Sequence, residues 1–98
     1  MLTVAEMQKE VYNNACENGL WDKPTPAPVA LCKIHAEVSE ALEAWRDGDD
    51  DHFAEELADI VLLTLSTAGA YGINLQHEMI KKHEKNLKRP YGHGGRRA

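Results

Sequence analysis

Two neighbouring segments of the chain carry the same pattern of apolar residues around a pair of acids, and this repeat constrains the fold most. When Glu37 is aligned with Glu56, the positions −3, +1, +4 and +5 are apolar in both segments. Such spacings place the apolar residues in one stripe along an α-helix. The stripes are Ile34, Val38, Ala41 and Leu42 in one segment, and Phe53, Leu57, Ile60 and Val61 in the other. The pattern predicts two amphipathic helices, and the short loop at Gly48 favours antiparallel packing through these stripes.

Capping residues, glycines and prolines divide the chain into four predicted helices. Thr3-Val4-Ala5-Glu6 has the form of a capping box, Asn74 is a typical N-cap, and glycines follow the expected helix ends. The helices are expected at about residues 3–18, 28–47, 51–70 and 74–87, with a stiff proline-rich connector at 24–28. No sustained strand alternation interrupts them. We therefore expect an all-α fold of the four-helix-bundle type, with residues 1–98 as one domain and about 88–98 as a Gly- and Arg-rich tail.

The length of 98 residues, of which 43% are hydrophobic, fits one small domain. The longest apolar runs, such as residues 60–63, are far shorter than the roughly 20 residues of a membrane helix. The first residues lack the basic flank and apolar block of a signal peptide, so we expect a cytoplasmic protein without a membrane partner. Cys16 and Cys32 fit no metal or redox motif and are expected to be free, buried thiols.

Each of the two central helices also carries a second acid three residues after the first, namely Glu40 and Asp59. The acids border the apolar stripes, so antiparallel packing would bring the two pairs together. Four clustered carboxylates raise one another's pKa and cannot all stay ionised without a cation. Oxygen ligands without cysteine favour Mg²⁺, with Mn²⁺ as the alternative. The competing interpretation is that the acids line solvated helix faces.

The charge distribution is compatible with a metal beside an anionic ligand. Residues 37–59 contain ten acids and one base, net −9, whereas residues 81–98 contain seven bases and one acid, net +6. The acidic segment would repel a nucleic-acid backbone, so no nucleic-acid partner is expected. Lys82, Asn86 and Arg89 share one face of the fourth helix, where they could bind phosphate oxygens or simply be solvated.

Histidine spacing argues against a di-metal oxidase. That design uses a Glu-x-x-His pair inside a helical bundle. None of the five histidines has a glutamate three residues before it. We therefore expect the histidines to be surface or core residues rather than metal ligands.

The sequence Glu37-Val38-Ser39-Glu40, followed after fifteen residues by Glu56-Leu57-Ala58-Asp59, resembles the E-x-x-E…E-x-x-D signature of the MazG-like all-α nucleoside triphosphate pyrophosphohydrolases. Lys82, Asn86 and the ending Arg89-Pro90-Tyr91-Gly92-His93-Gly94-Gly95 are similar to the close of short members, so the resemblance covers about residues 29–95. It implies conversion of an NTP or dNTP to the monophosphate and pyrophosphate. Ala36 departs from the commonest pattern, which has a further acid there, and leaves the number of metal ions open.

The resemblance also implies a role for each site residue. Glu37, Glu40, Glu56 and Asp59 are the expected Mg²⁺ ligands and catalytic residues, and Lys82, Asn86 and Arg89 the expected substrate-binding residues. Trp21 and Trp45 are candidates to stack on the base, although the position of Trp45 is typical of core. The alternative function is a non-catalytic helical oligomerisation or regulatory module that binds a nucleotide or metal. Base and sugar preference are not encoded in any motif.

Association of chains is expected on physical grounds. The third helix carries three more leucines on the surface outside its apolar stripe, namely Leu62, Leu63 and Leu65. They point in different directions around the helix, so one facing helix cannot cover them all. A small core commonly gains stability from oligomerisation. We expect a homodimer whose paired second and third helices complete the core, or a tetramer of two dimers, as the resemblance also implies. The alternative is a monomeric bundle in which the first and fourth helices cover Leu62 and Leu65.

Overall fold

The structure, a computed structural model, describes residues 1–21 and 26–89. Its four helices are α1 (Val4–Glu17), α2 (Ala27–Arg46), α3 (Asp50–Ala70) and α4 (Leu75–Lys88). These bounds agree closely with the predicted ones. The described residues contain no strand, so the all-α class is confirmed. The predicted tail beyond residue 89 and residues 24–25 of the predicted connector lie outside the described residues, and α2 begins at Ala27 within that connector.

Local hydrogen bonds explain why the helix boundaries were predictable. Thr3 and Glu6 form the complete capping box, in which the Thr3 side chain accepts from Glu6 N at 3.1 Å and Glu6 Oε1 accepts from Thr3 N at 2.9 Å. Asp49 and Asn74 cap α3 and α4 in the same way. Gly48 follows α2 with a φ of 72°, which a side chain would disfavour.

α3 is the central helix of the chain. It packs against α2 on one side and against α1 on another, while α4 contacts α1. The buried residues of α2 are all alanines, and small side chains allow helices to pack closely. The buried hydrophobic residues are Ala30, Ala41 and Ala44 of α2, and Leu65 and Ala68 of α3. No large side chain among the described residues is completely buried.

Only half of each predicted apolar stripe faces the interior. In both helices the residues at offsets −3 and +4 are buried or half-buried, whereas those at +1 and +5 are 47–55% exposed. The exposed residues are Val38, Leu42, Leu57 and Val61. The stripe is wider than the seam between α2 and α3, so the expectation of one buried seam was wrong in part. Trp45 lies on this outer side at 62% exposure, and its expected core position was also wrong.

The burial of the α3 leucines and of the two cysteines differs in part from expectation, and α1 packs against α3. Leu65 is only 4% exposed and Leu63 is half-buried, whereas Leu62 remains 37% exposed. A helix of the same chain therefore covers part of the surface that was assigned to a partner. Cys16 and Cys32 are free, as expected, but Cys16 is only half-buried and Cys32 is exposed, so their expected burial was wrong.

Hydrogen bonds rather than a packed core attach α4 to α1. Gln8 Nε2 donates to Ile73 O at 2.7 Å, and Gln8 Oε1 accepts from Leu75 N at 3.2 Å. Gln76 Oε1 accepts from Ala5 N at 2.8 Å. No residue of α4 is buried. Within the described residues no single helix has the length and hydropathy to cross a bilayer; α3 and α4 meet these criteria only as a pair, across a bend of 114°.

α1 rests on α3 at Gly69. A Cβ atom at this position would lie 2.7 Å from Cγ and 2.8 Å from Cβ of Tyr12. These distances are far below van der Waals contact, so only glycine allows Tyr12 to pack directly on the α3 backbone.

We predict that Gly69→Ala destabilises the protein, although alanine is about 1 kcal/mol better than glycine in an unconstrained helix. Displacing Tyr12 should lower the free energy of unfolding by about 1–3 kcal/mol, measured by urea denaturation. In a Tyr12→Ala background the same substitution should be neutral or stabilising. A stabilising effect with Tyr12 present would contradict the close packing.

Candidate metal centre

Three carboxylates meet where α2 packs against α3. Ligand oxygens of Glu37, Glu56 and Asp59 all lie within 4.8 Å of one another. Glu56 is buried at 7% exposure, Glu37 is half-buried, and Asp59 is exposed. The cluster therefore spans the boundary between the helix seam and solvent. Three of the four predicted acids come together, and they come from both helices, as the repeated pattern predicts.

Glu56 has one satisfied and one unsatisfied oxygen. His52 Nε2 donates to Glu56 Oε1 at 3.0 Å. Glu56 Oε2 is buried and has no hydrogen-bond partner. A buried carboxylate oxygen without a partner is unfavourable, and a cation would satisfy it. The donor set of three carboxylates without sulfur fits a hard divalent cation of the Mg²⁺ or Mn²⁺ type.

The electrostatics of Glu37 show the cost of this arrangement. A hydrogen bond that protonated Glu37 can donate to Glu56 is the main cause of its raised pKa, followed by burial and by the negative charges of Glu56 and Asp59. Glu40 acts in the opposite direction, since its hydrogen bond to Glu37 lowers the pKa of Glu37. Glu40 is exposed and interacts with Glu37, but it is outside the three-carboxylate cluster. Its role as a metal ligand stays a prediction.

A cavity of about 500 Å³ opens beside the acids. Glu37 and Asp59 belong to its lining, together with apolar and polar residues of α1, α3 and the segment that follows α1. The other lining residues are Glu10, Val11, Asn14, Ala15, Leu20, Leu62, Leu63 and Ser66. Trp21 lies next to this lining, because its Nε1 donates to Ser66 Oγ at 2.9 Å.

The predicted substrate-binding residues of α4 are not part of this cavity. Lys82, Asn86 and Arg89 are exposed, and no residue of α4 contributes to the described lining. None of the lining residues that the structure describes is a lysine or arginine. The structure of one chain therefore does not join the basic face of α4 to the acids, and the assignment of these three residues stays a prediction.

Sequence reasoning missed two parts of the site. His52 was passed over because only the Glu-x-x-His spacing was considered, although His52 and Glu56 are four residues apart and so share a helix face. The contribution of α1 to the cavity, through Glu10 and Asn14, had no signal in any motif. It depends on how α1 packs on α3, which is a property of the tertiary structure.

We predict that Glu37→Gln stabilises the metal-free protein at about pH 7. A carboxyl group with a raised pKa binds its proton more tightly in the folded than in the unfolded state. The free energy of unfolding therefore falls as the pH rises from the ordinary value of 4.5 through the raised one. Urea midpoints in EDTA should be higher for the variant at neutral pH, and this advantage should disappear in acid. Glu43→Gln, an exposed acid on the same helix, is the control, and equal midpoints for Glu37→Gln and wild type at neutral pH would contradict the repulsion.

Comparison with known proteins gives an independent assignment. The family model described as the MazG nucleotide pyrophosphohydrolase domain matches residues 30–92, well over half of the chain. This segment contains all three clustered acids. No curated protein and no solved structure gave a significant match. On the family match, the chain belongs to the MazG nucleotide pyrophosphohydrolase family.

Proposed function

We propose that this protein is a Mg²⁺-dependent pyrophosphohydrolase that converts an NTP or dNTP to the monophosphate and pyrophosphate. The observation that carries the proposal is the three-carboxylate cluster with the unsatisfied Oε2 of Glu56, beside a cavity of about 500 Å³. A volume of this size is typical of small-molecule sites. The family match over residues 30–92 supports the same reaction class.

Glu37, Glu56 and Asp59 would hold the ion, Mg²⁺ or alternatively Mn²⁺. When bound, such an ion supplies Lewis acidity at the α-phosphate and lowers the pKa of the attacking water. Glu40, exposed beside Glu37 and outside the cluster, is the fourth proposed ligand, and one of the four carboxylates would accept the proton of that water. The bond from water oxygen to the α-phosphorus forms, and the bond from the α-phosphorus to the oxygen that bridges to the β-phosphate breaks.

The nucleoside would occupy the cavity between α1 and α3. Val11, Ala15 and Leu62 provide apolar surface for a base or sugar, and Glu10 and Asn14 provide polar groups. Of the two tryptophans, Trp21 is favoured for stacking by its hydrogen bond to Ser66 in the lining. Neither the cavity nor the sequence selects a base.

The triphosphate needs positive charge, and the described lining residues supply none. Lys82 and Arg89 would neutralise the departing pyrophosphate, and Asn86 would donate to a phosphate or sugar oxygen. Because these residues do not line the cavity of their own chain, a second copy is a source for them that fits the oligomer proposed next.

We also propose a homodimer, alone or doubled into a tetramer, in which α2 and α3 of two chains form a four-helix core. The outer halves of the two apolar stripes support it, because Val38, Leu42, Leu57 and Val61 are about half exposed on adjacent helices. The small size of the core of one chain supports it too, since all but one of the buried hydrophobic residues are alanines. Burying these side chains would add the apolar area that one chain lacks.

Neutral substitutions in the cluster should remove activity. We expect Glu56→Gln and Asp59→Asn to lower Mg²⁺-dependent pyrophosphate release by about 100-fold or more, because each removes a charged ligand. Glu55→Gln, an exposed neighbour of Glu56, is the matched control and should keep wild-type activity. The assay measures pyrophosphate from a panel of NTPs and dNTPs, with and without EDTA. Nucleotide binding without pyrophosphate release by the wild type would instead favour the non-catalytic binding module.

A charge on the outer stripe should separate the chains. Light scattering of the wild type should give a multiple of the 10.9 kDa chain mass, and Leu42→Glu should shift it towards 10.9 kDa. Ile73→Glu places the same charge in the turn between α3 and α4, at a residue that is 45% exposed, and should leave the mass unchanged. A wild-type mass that stays near 10.9 kDa as the concentration rises would rule out the oligomer.

A further inference from the structure

We propose that His52 is a positioning residue for the metal centre: its imidazole holds Glu56 so that Oε2 points to the ion. This inference rests on the proposed metal site but concerns a residue outside its acidic motif. His52 and Glu56 are one turn apart on α3, and His52 Nε2 lies 3.0 Å from Glu56 Oε1. The side chain of His52 is 50% exposed, whereas that of Glu56 is 9% exposed.

The hydrogen bond fixes the one torsion of Glu56 that packing alone defines poorly. Rotation of a carboxylate about its last side-chain bond has a broad, roughly two-fold preference. With Oε1 held by His52, the direction of Oε2 is determined. Oε2 is buried and has no partner of its own, and an oxygen of Glu56 lies within 4.8 Å of oxygens of Glu37 and Asp59. In this proposal Oε1 accepts the hydrogen bond from His52, and Oε2 binds the ion.

The first turn of α3 fixes His52 in turn. Asp49 caps the helix, and Asp49 Oδ1 accepts from His52 N at 3.1 Å. The backbone of His52 is thereby held at the start of the helix, and the imidazole can reach one turn forward to Glu56. The chain of contacts runs from the cap to the histidine and from the histidine to the buried carboxylate. Outer residues that orient ligands in this way commonly change metal affinity by about 10–100-fold.

A structural alternative is that the pair only stabilises the start of α3. Position 77 offers a matched control, because His77 occupies the same place in α4, and His77 N donates to the cap Asn74 at 3.1 Å. His77 is exposed and has no carboxylate of the cluster as a partner. Replacing His77 reproduces the loss of a histidine from a first helical turn without touching the site.

The test measures Mn²⁺ affinity of the full chain without nucleotide, by electron paramagnetic resonance or calorimetry. We expect His52→Ala and His52→Phe to weaken Mn²⁺ binding by about 10–100-fold. His52→Gln retains an N–H donor at a similar reach and should recover most of the affinity, while His77→Ala should bind as the wild type does. Thermal melting and circular dichroism are recorded for each variant, and if His52→Ala does not fold, the comparison of His52→Phe with His52→Gln decides.

The outcomes separate the positioning role from the proposed function. Wild-type affinity in folded His52→Ala or His52→Phe would overturn the positioning role and leave the metal site intact. Equal losses in His52→Gln and His52→Ala would also overturn it, because the imidazole would then act as a ligand itself. A wild-type protein that binds no Mn²⁺ and releases no pyrophosphate would overturn the proposed function together with this inference.

Discussion

Like-charge repulsion where α2 packs against α3 is the constraint on which the rest of the site depends. Small residues such as Ala41 and Ala44 let the helices approach closely enough for Glu37, Glu56 and Asp59 to meet. This approach raises the pKa of Glu37 and leaves one buried oxygen of Glu56 without a partner. Such an arrangement is unfavourable for the isolated chain, and a divalent cation would turn it into a favourable one.

The same two helices carry the outward apolar surface. Within each stripe, alternate positions turn to the seam and to the outside, so one pattern of residues serves both packing within the chain and the proposed packing between chains. Glu37 and Glu56 lie between these inner and outer positions in the repeated pattern. The proposed metal binding, the fold of one chain and the proposed association would therefore draw on the same short stretch of sequence, which would limit the substitutions that any one of them can accept.

The sequence was a good guide wherever the signal is local. Thr3, Asp49 and Asn74 cap their helices by bonds that span three residues, so the boundaries could be predicted closely. The convergence of Glu37 with Glu56 and Asp59 could be predicted because helical periodicity fixes their faces. The exposure of Trp45 and the burial of Leu65 could not, since they depend on which side of α2 faces α3 and which sides of α3 face its neighbours. The contact of His52 with Glu56 was within reach, because its spacing of four residues is a helical one.

Besides lining the cavity, α1 also holds α4 in place, through the side chain of Gln8. Its amide bonds to the backbone of Ile73 in the α3–α4 turn and of Leu75 at the start of α4, so an α1 side chain holds the beginning of α4 against α1. Hydrogen bonds are directional but bury little apolar area. The contact between α1 and α4 therefore defines the orientation of α4 but stabilises its position only weakly. The basic face of α4 is therefore positioned through α1, and α1 in turn packs on α3 at Gly69. A shift of α1 away from Gly69 would therefore change the shape of the cavity and the orientation of α4 at the same time.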